Sequence, residues 1–314
     1  MQTAKKYTDF ENRLVKVAKY RAKQAVKLQT DAYRIYDRDL PEFPFIIDKY
    51  RDALCVYEYK SKHQLTASDY KDWLNYSLEI IAKTCGVEQT YIYLKTRERK
   101  KGEEQYQKLQ QQKNEMIVHE NGLSFIANLS DYVDTGLFFD QRIARQKIKQ
   151  LATDKHVLNL FAYTGSFSVY AAAGHAKTIT TVDLSKTYLN WARRNLTYNK
   201  LYDEKKHFFM QEDTLSFLKN IKEYFDIIIC DPPTFSNSKR MYHDFDIQRD
   251  YLCLITACLK RLNPGGQLLF STNKRQFQYD LSELKCTSWK DITKSVIPFD
   301  FEGKFGLTVL QIMK

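Results

Sequence analysis

Val157-Leu158-Asn159-Leu160-Phe161-Ala162-Tyr163-Thr164-Gly165-Ser166 reads as a short buried strand that breaks at a turn and runs into a helix. Gly165 is the only glycine of that turn, and a residue without Cβ lets the backbone approach a ligand closely at a helix start. Downstream, further apolar runs recur at Thr178 to Val182, His207 to Met210, Phe225 to Ile229 and Gln267 to Phe270, with room for a helix between successive runs. Helices alternating with short apolar strands are the pattern of an α/β fold built on a doubly wound parallel sheet, expected here over residues 135–314. A last run, Leu307 to Ile312, is expected to close the sheet edge.

In such sheets ligands bind beyond the carboxyl ends of the strands, so the residues after each run are the ones that matter. They are the turn at Ala162 to Ser166, then Asp183, then Glu212-Asp213-Thr214, then Cys230-Asp231-Pro232-Pro233-Thr234-Phe235. Each acid taken alone also suits a helix N-cap. Their order carries the argument. The first turn lacks the GxGxxG of dinucleotide enzymes, which argues against a pyrophosphate on that helix and suits a nucleoside without phosphate. Asp183 stands eighteen residues beyond Gly165, near the interval of about 20 expected for a ribose-binding acid. The combination points to S-adenosylmethionine rather than a nicotinamide dinucleotide.

Asp231-Pro232-Pro233-Thr234-Phe235 is the most specific stretch chemically. Two prolines end the strand ladder and stiffen the turn, placing a carboxylate, backbone carbonyls and an aromatic ring together at the crevice. That set suits a flipped nucleobase, with Phe235 stacking on it and polar groups binding its edge. Methyl transfer to carbon 5 of a pyrimidine needs a thiolate, and the turn after the fifth strand reads Ser271-Thr272-Asn273. Cys230, the nearby thiol, ends an apolar strand and is expected to be inert and buried. A ring nitrogen such as guanine N7 carries its own in-plane lone pair and needs neither thiolate nor base, so alignment supplies the rate.

Upstream the period changes. Residues 31–134 carry strand-like runs at Tyr33 to Tyr36, Phe45 to Ile47, Leu54 to Tyr57 and Tyr91 to Leu94, and a helix at Ser68 to Lys83 stopped by Gly86. A hairpin turn is expected at Asn121-Gly122. This is the expectation of a small α+β domain that binds RNA or substrate. Its Lys95 to Gly102 segment, with Lys95, Arg97, Arg99, Lys100 and Lys101, is expected to be a phosphate-contacting basic loop. Residues 1–30 form a basic amphipathic helix, with apolar positions from Phe10 to Leu28 at helical spacing.

The 314-residue chain has 49 Lys plus Arg against 38 Asp plus Glu, a formal charge of +11, which favours a polyanionic partner. No apolar run reaches the roughly 18 residues of a membrane span, and the first thirty residues hold eight Lys/Arg without the apolar core of a secretory signal. Six cysteines without a CxxC pair suit a reducing cytoplasm rather than disulfides or a metal site, so no metal and no membrane partner are expected.

With these residues in view, the chain resembles the RlmI/RlmK-like family of class I S-adenosylmethionine-dependent methyltransferases, whose methyltransferase domain is Rossmann-like. Within it, the resemblance is to the 23S ribosomal RNA guanine-N7 branch, best known as the C-terminal half of a fused enzyme. The match runs the length of the chain. It rests on Tyr33 to Asp37, Leu94 to Arg99, Asp134 to Arg142, Asn159 to Ser166 and, most diagnostically, Asp231 to Arg240. The cytosine-5 branch has a cysteine where this chain has Thr272.

The resemblance implies that Asp140, Gln141 and Arg142 line the entrance to the methionine end of the cofactor, with Arg142 facing its carboxylate. Asn159, Phe161, Tyr163, Thr164 and Gly165 form the first loop, Asp183 and Leu184 hold ribose and adenine, and Asp213 with Thr214 lies near the adenine. Asp231, Pro232 and Phe235 serve catalysis, with Asp231 also beside the cofactor, and Lys239 and Arg240 join the basic residues that meet RNA. The implied partner is 23S ribosomal RNA or a large-subunit assembly intermediate. The other half of the fused enzyme is not in this sequence, so RNA capture is expected from the chain's own basic surfaces or from a separate protein equivalent to that half. Two other readings stay open: methylation of an exocyclic amine, adenine N6 or guanine N2, and a non-catalytic ribosome assembly factor.

Overall fold

The computed structural model describes residues 2–59, 65–97, 114–236 and 244–314. The chain divides into two units, one of Met1–Gly122, Ala127–Thr135 and Phe299–Lys304, the other of Leu123–Ile126, Gly136–Pro298 and Phe305–Lys314. Among the described residues no helix is long and apolar enough to cross a membrane.

The first unit opens with helix α1 (Gln2–Lys27), followed by strands β1 (Ala32–Asp37), β2 (Phe45–Tyr50) and β3 (Ala53–Tyr59), helix α2 (Ala67–Cys85) and strands β4 (Ile92–Arg97) and β5 (Glu115–Glu120). The sheet order is β1-β2-β3-β4, with the first two pairings antiparallel. β4 lies parallel to β3, as the crossover through α2 requires. Alternate residues Tyr33 and Ile35, Phe45 and Ile47, Leu54 and Val56 enter one core with Phe10, Leu14, Val17 and Ala25 of α1 and Ile80 and Ile81 of α2. Phe10 stacks on Phe43 with centroids 4.2 Å apart, and Phe45 stacks on Trp73 at 5.2 Å. Thr66 caps α2 by accepting the Asp69 N–H, and Gly86 ends it in the left-handed conformation. The N-terminal helix is thus not a separate region: its apolar stripe completes the core of the small sheet.

The chain returns to this unit near its end. Phe299 packs in the same core, the buried Asp300 accepts the Arg34 N–H at 3.0 Å, and the Arg34 guanidinium lies 4.6 Å from the Phe301 ring centre.

After β5, Asn121 and Gly122, both at positive φ, turn the chain into β6 (Leu123–Asn128). The second unit continues with α3 (Arg142–Leu151), β7 (His156–Leu160), α4 (Ser166–Ala173), β8 (Thr178–Val182), α5 (Lys186–Tyr198), β9 (His207–Met210) and α6 (Thr214–Asn220). Then come β10 (Phe225–Cys230), the two-residue strands β11 (Phe235–Ser236) and β12 (Phe245–Asp246), α7 (Ile247–Lys260), β13 (Leu262–Thr272), β14 (Ser288–Asp291) and β15 (Thr308–Met313). Among the described residues the main sheet has seven strands in the order β14-β15-β13-β10-β7-β8-β9.

The five strands from β13 to β9 are mutually parallel, while β15 runs antiparallel between β13 and β14. Alternation splits the core into two layers. Leu158, Leu160, Ile228, Leu268 and Phe270 face α6 and α7, while Val157, Ile179, Ile227 and Ile229 face α3 and α4. The expectation that Leu307 to Ile312 closes the edge is corrected: β14 is the outer strand. Val309 enters one core layer and Leu310 the other, as an interior strand demands, whereas all four residues of β14 are exposed.

β6 enters the second unit by an indirect route. The α5 side chains of Asn195 and Asn199 accept the N–H groups of Ile126 and Ser124, and the Trp191 indole donates to the Ile126 carbonyl. The helix therefore supplies the partners that a neighbouring strand normally would.

Candidate functional site

Strand order reverses between β7 and β10, and the loops leaving the carboxyl ends of β7, β8, β10 and β13 gather the chemistry of the second unit. In the β7 loop Phe161 and Tyr163 hold positive φ (52° and 51°), a conformation that non-glycine residues adopt only when their surroundings enforce it. The enforcement is visible. The Tyr163 ring packs edge-on against Tyr188 at 4.6 Å and beside Phe138 at 5.2 Å, and its N–H donates to Asp183 Oδ2 at 2.9 Å.

Gly165 caps α4 at φ 71°, but the space it leaves is not open to a ligand. A Cβ there would sit 2.5 Å from the Ala192 Cβ, so the glycine admits α5 rather than a cofactor atom. Gly136, at φ 106°, does the same for Trp191, whose ring would meet a Cβ at 2.5 Å.

Asp183 ties the two loops beside the crevice together. Its Oδ2 accepts from Tyr163 and its Oδ1 from the Ser185 N–H at 2.8 Å. Burial pushes its carboxyl up to about 6, with the two backbone N–H bonds acting the other way. Each oxygen has one protein donor and retains a lone pair, which is what a pair of ribose hydroxyls requires. Leu184 follows, half-buried, with its carbonyl accepting from Gln211.

The Asp231 carboxylate, at the end of β10, accepts the Ser271 hydroxyl at 2.6 Å. Ser271 in turn accepts the Gln141 amide at 3.0 Å. Burial raises Asp231, while Ser271, Gln141 and the Arg145 guanidinium oppose the rise. Pro232 is buried, Thr234 donates to the Asn273 side chain at 2.6 Å, and the Phe235 ring is 48% exposed. Phe235 thus presents a face to solvent from β11, two residues past the prolines. Gln141 Oε1 is buried without a hydrogen-bond partner among the described residues. The buried Gln141 Oε1, in the turn before α3, and the spare acceptor capacity of Asp183, at the end of β8, fit a nucleoside-bearing cofactor with an amino group.

Other expected site residues turn inward. Asn159 donates to Ser168, which bonds to Thr181, and Thr164 donates to the Gly136 carbonyl. Both side chains are buried and support the loop from beneath. Asp213 is the N-cap of α6, accepting the Ser216 N–H, with Thr214 buried beside it. Arg142 is fully buried near the Phe139 ring, and Asp140 is partly buried in the preceding turn, so neither is a surface charge. Cys230 is buried and free.

The basic-loop expectation is corrected at its first residue. Lys95 lies in β4, is 7% exposed and donates to the carbonyls of Tyr132 and Val133 at 2.7 and 3.3 Å. A lysine spent on two backbone acceptors is a structural strut, not a phosphate contact. The side chain of Arg97 and all of Arg99, Lys100, Lys101, Lys239 and Arg240 lie outside the described residues. Sequence reasoning read Ser271 only for not being cysteine. Its place at the end of β13 was the available signal.

Comparison with known proteins adds three findings. The S-adenosylmethionine-dependent methyltransferase family matches residues 78–288. Proteins named ribosomal RNA large subunit methyltransferase K/L are similar, at 45% identity over 93% of this chain in Shewanella sediminis and 44% over 96% in Pseudoalteromonas atlantica. The chain spans 41% and 43% of the length of those two relatives. The crystal structure of SMU.776, a methyltransferase complexed with SAH, superposes with a TM-score of 0.75 at 25% identity, covering 97% of this chain and 82% of that one. A SAM-dependent methyltransferase from Streptococcus mutans gives 0.74 at 25% identity, covering 97% and 81%.

Proposed function

Because the chain belongs to the S-adenosylmethionine-dependent methyltransferase family, we propose that it methylates N7 of a guanosine in large-subunit 23S ribosomal RNA, on a base flipped from its helix. The observation that carries this reading is the β10 loop. A carboxylate held by Ser271 stands beside two prolines and a half-exposed aromatic ring, while the turn after β13 offers no thiol for cytosine-5 chemistry. The names of the relatives supply the class of RNA.

In this reading Asp183 accepts the ribose hydroxyls of the cofactor, Leu184 lies along its adenine, and Gln141 with Arg142 serves its methionine end. The cofactor supplies an electrophilic methyl group. Phe235 stacks on the flipped guanine, a contact worth about 1–3 kcal/mol per base in RNA-binding proteins. Asp231 faces the base, holding its orientation and offsetting the positive charge that the imidazole ring acquires. When bound, the cofactor would give its methyl group to the N7 lone pair and leave as the neutral thioether, so no residue of the chain would have to remove a proton from the base. The protein's task is therefore alignment and water exclusion rather than acid–base catalysis. The small unit, Arg97, Arg99, Lys100, Lys101, Lys239 and Arg240, or a separate partner protein, captures the RNA through phosphate contacts.

Nucleoside mass spectrometry of 23S ribosomal RNA from cells with and without the gene, repeated with purified protein and S-adenosylmethionine, tests this. Loss of one 7-methylguanosine, restored in vitro, is expected. An unchanged 7-methylguanosine level with a missing N2-methylguanosine or methylated adenine overturns the N7 assignment in favour of an exocyclic amine.

A further inference from the structure

Two elements send hydrogen-bonding side chains toward the Asp231 carboxylate, Gln141 from the turn before α3 and Ser271 from the end of β13, and the Arg145 guanidinium of α3 adds a favourable charge nearby. The direction of the hydrogen bonds among them is fixed by chemistry. An amide nitrogen donates and does not accept, so Gln141 Nε2 gives its hydrogen to Ser271 Oγ, and Ser271 must give its own to Asp231 Oδ1. Gln141 and Ser271 are both nearly inaccessible, at 2% and 1% exposure, so water does not readily replace either link. Reversing the amide would place two acceptors against each other at Ser271 and cost the network its sense. The present orientation instead leaves Gln141 Oε1 as the unfilled acceptor.

We propose that Ser271 is a positioning residue for the methyl transfer, holding Asp231 ionised and in one orientation through the polarised chain Gln141 to Ser271 to Asp231. The proposal rests on the reading of Asp231 as the carboxylate that faces the base. Burial disfavours the charged form of Asp231, and Ser271 leads the groups that restore it, followed by Gln141 and Arg145. On its own strand Asp231 adjoins the buried Cys230, whose thiol is held protonated by burial and by Cys258 of α7, so no thiolate competes for the charge. Only an ionised carboxylate is acceptor-only, as a partner for the N–H edge of guanine or for its developing cation has to be. Ser271 keeps its proton throughout.

The test uses the full chain with Ser271→Ala, Ser271→Thr and Ser271→Cys, each carrying carbon-13-labelled aspartate, with Asp231→Asn identifying the signal of interest. In Ser271→Ala the Asp231 carboxyl is expected to titrate about one pH unit higher than in the parent. The acid limb of the rate profile should move by the same amount, and kcat should fall about tenfold while the KM for RNA stays within about twofold. Ser271→Thr, which keeps a hydroxyl on a strand residue, should restore both readouts. If Ser271→Ala does not fold, Ser271→Cys keeps the volume with a weak donor and should show an intermediate titration. Parent-like titration in Ser271→Ala or Ser271→Cys overturns the proposal, as does a Ser271→Thr protein as impaired as Ser271→Ala. The carboxyl titration needs no substrate, so a parent protein that makes no 7-methylguanosine refutes the proposed reaction without deciding the role of Ser271.

Discussion

With Asp183 accepting the cofactor's ribose hydroxyls, as proposed, cofactor affinity is expected to depend on pH in a window where most carboxylates are silent. Its carboxyl is pushed up to about 6 in the free protein by burial, and it must be ionised to accept two ribose hydroxyls while already accepting two backbone N–H groups. Protonation therefore favours the free protein and weakens binding as pH falls. With a midpoint near 6, the ionised fraction drops from about 97% at pH 7.5 to about 9% at pH 5.0. Affinity should then fall roughly tenfold, or ~1.4 kcal/mol.

Loss of fold through this group does not mimic the effect. A folded-state value raised above the unfolded one gives a contribution to stability that is complete below the unfolded carboxylate range and lost as pH rises through about 6. Acidification from pH 7.5 to 5.0 thus strengthens the free fold at Asp183 even as it weakens the ligand. Isothermal titration calorimetry with S-adenosylhomocysteine at five pH values reads the slope directly, and Asp183→Asn should bind more weakly and lose this part of it. Asp231 also titrates upward of its usual range, and its share remains in the variant. A flat affinity for the parent, or an Asp183→Asn protein that keeps the whole slope, refutes the reasoning.

Gly165→Ala combines φ 71° with a Cβ 2.5 Å from Ala192, so it should cost about 2–4 kcal/mol in urea unfolding and reduce cofactor affinity as the loop shifts. Lys95→Met should cost about 1–3 kcal/mol by leaving the Tyr132 and Val133 carbonyls without their donor, while the salt dependence of RNA binding, measured by filter retention, stays as in the parent. Phe235→Ala removes a half-exposed ring and should change stability by less than about 0.5 kcal/mol and leave calorimetric S-adenosylhomocysteine binding intact, yet lower methyl transfer to RNA.

Most of the sheet was legible because its central strands are short apolar runs with both faces buried, as at Ile227, Ile228 and Ile229, which divide between the two core layers. β14 was not, since Ser288-Trp289-Lys290-Asp291 is exposed throughout and held by backbone pairing with β15. Polar, charged edges of this kind resist further strand addition and leave no hydrophobic pattern to read. The strand-end acids were found in order, but their partners were not. The sequence does not say that Asp183 reaches back to Tyr163, or that Asp231 reaches across to Ser271, because both bonds join loops far apart in the chain. Lys95 misled for the opposite reason: a run of charges resembles a solvated loop, and only the carbonyls of Tyr132 and Val133 reveal that its first member is inside.

The return of Phe299–Lys304 to the first unit has a consequence for how the protein is made. The ribosome releases α1 to β5 before the second unit, yet the residue that receives the Arg34 N–H lies 266 residues further along the chain, next to the ring beneath the Arg34 guanidinium. The small unit is therefore completed only after every strand of the large one except β15 has been synthesised, against the usual N-to-C succession of domains. Cutting the chain near residue 134 is expected to leave the core of the first unit without Phe299, so that a fragment ending there is incomplete.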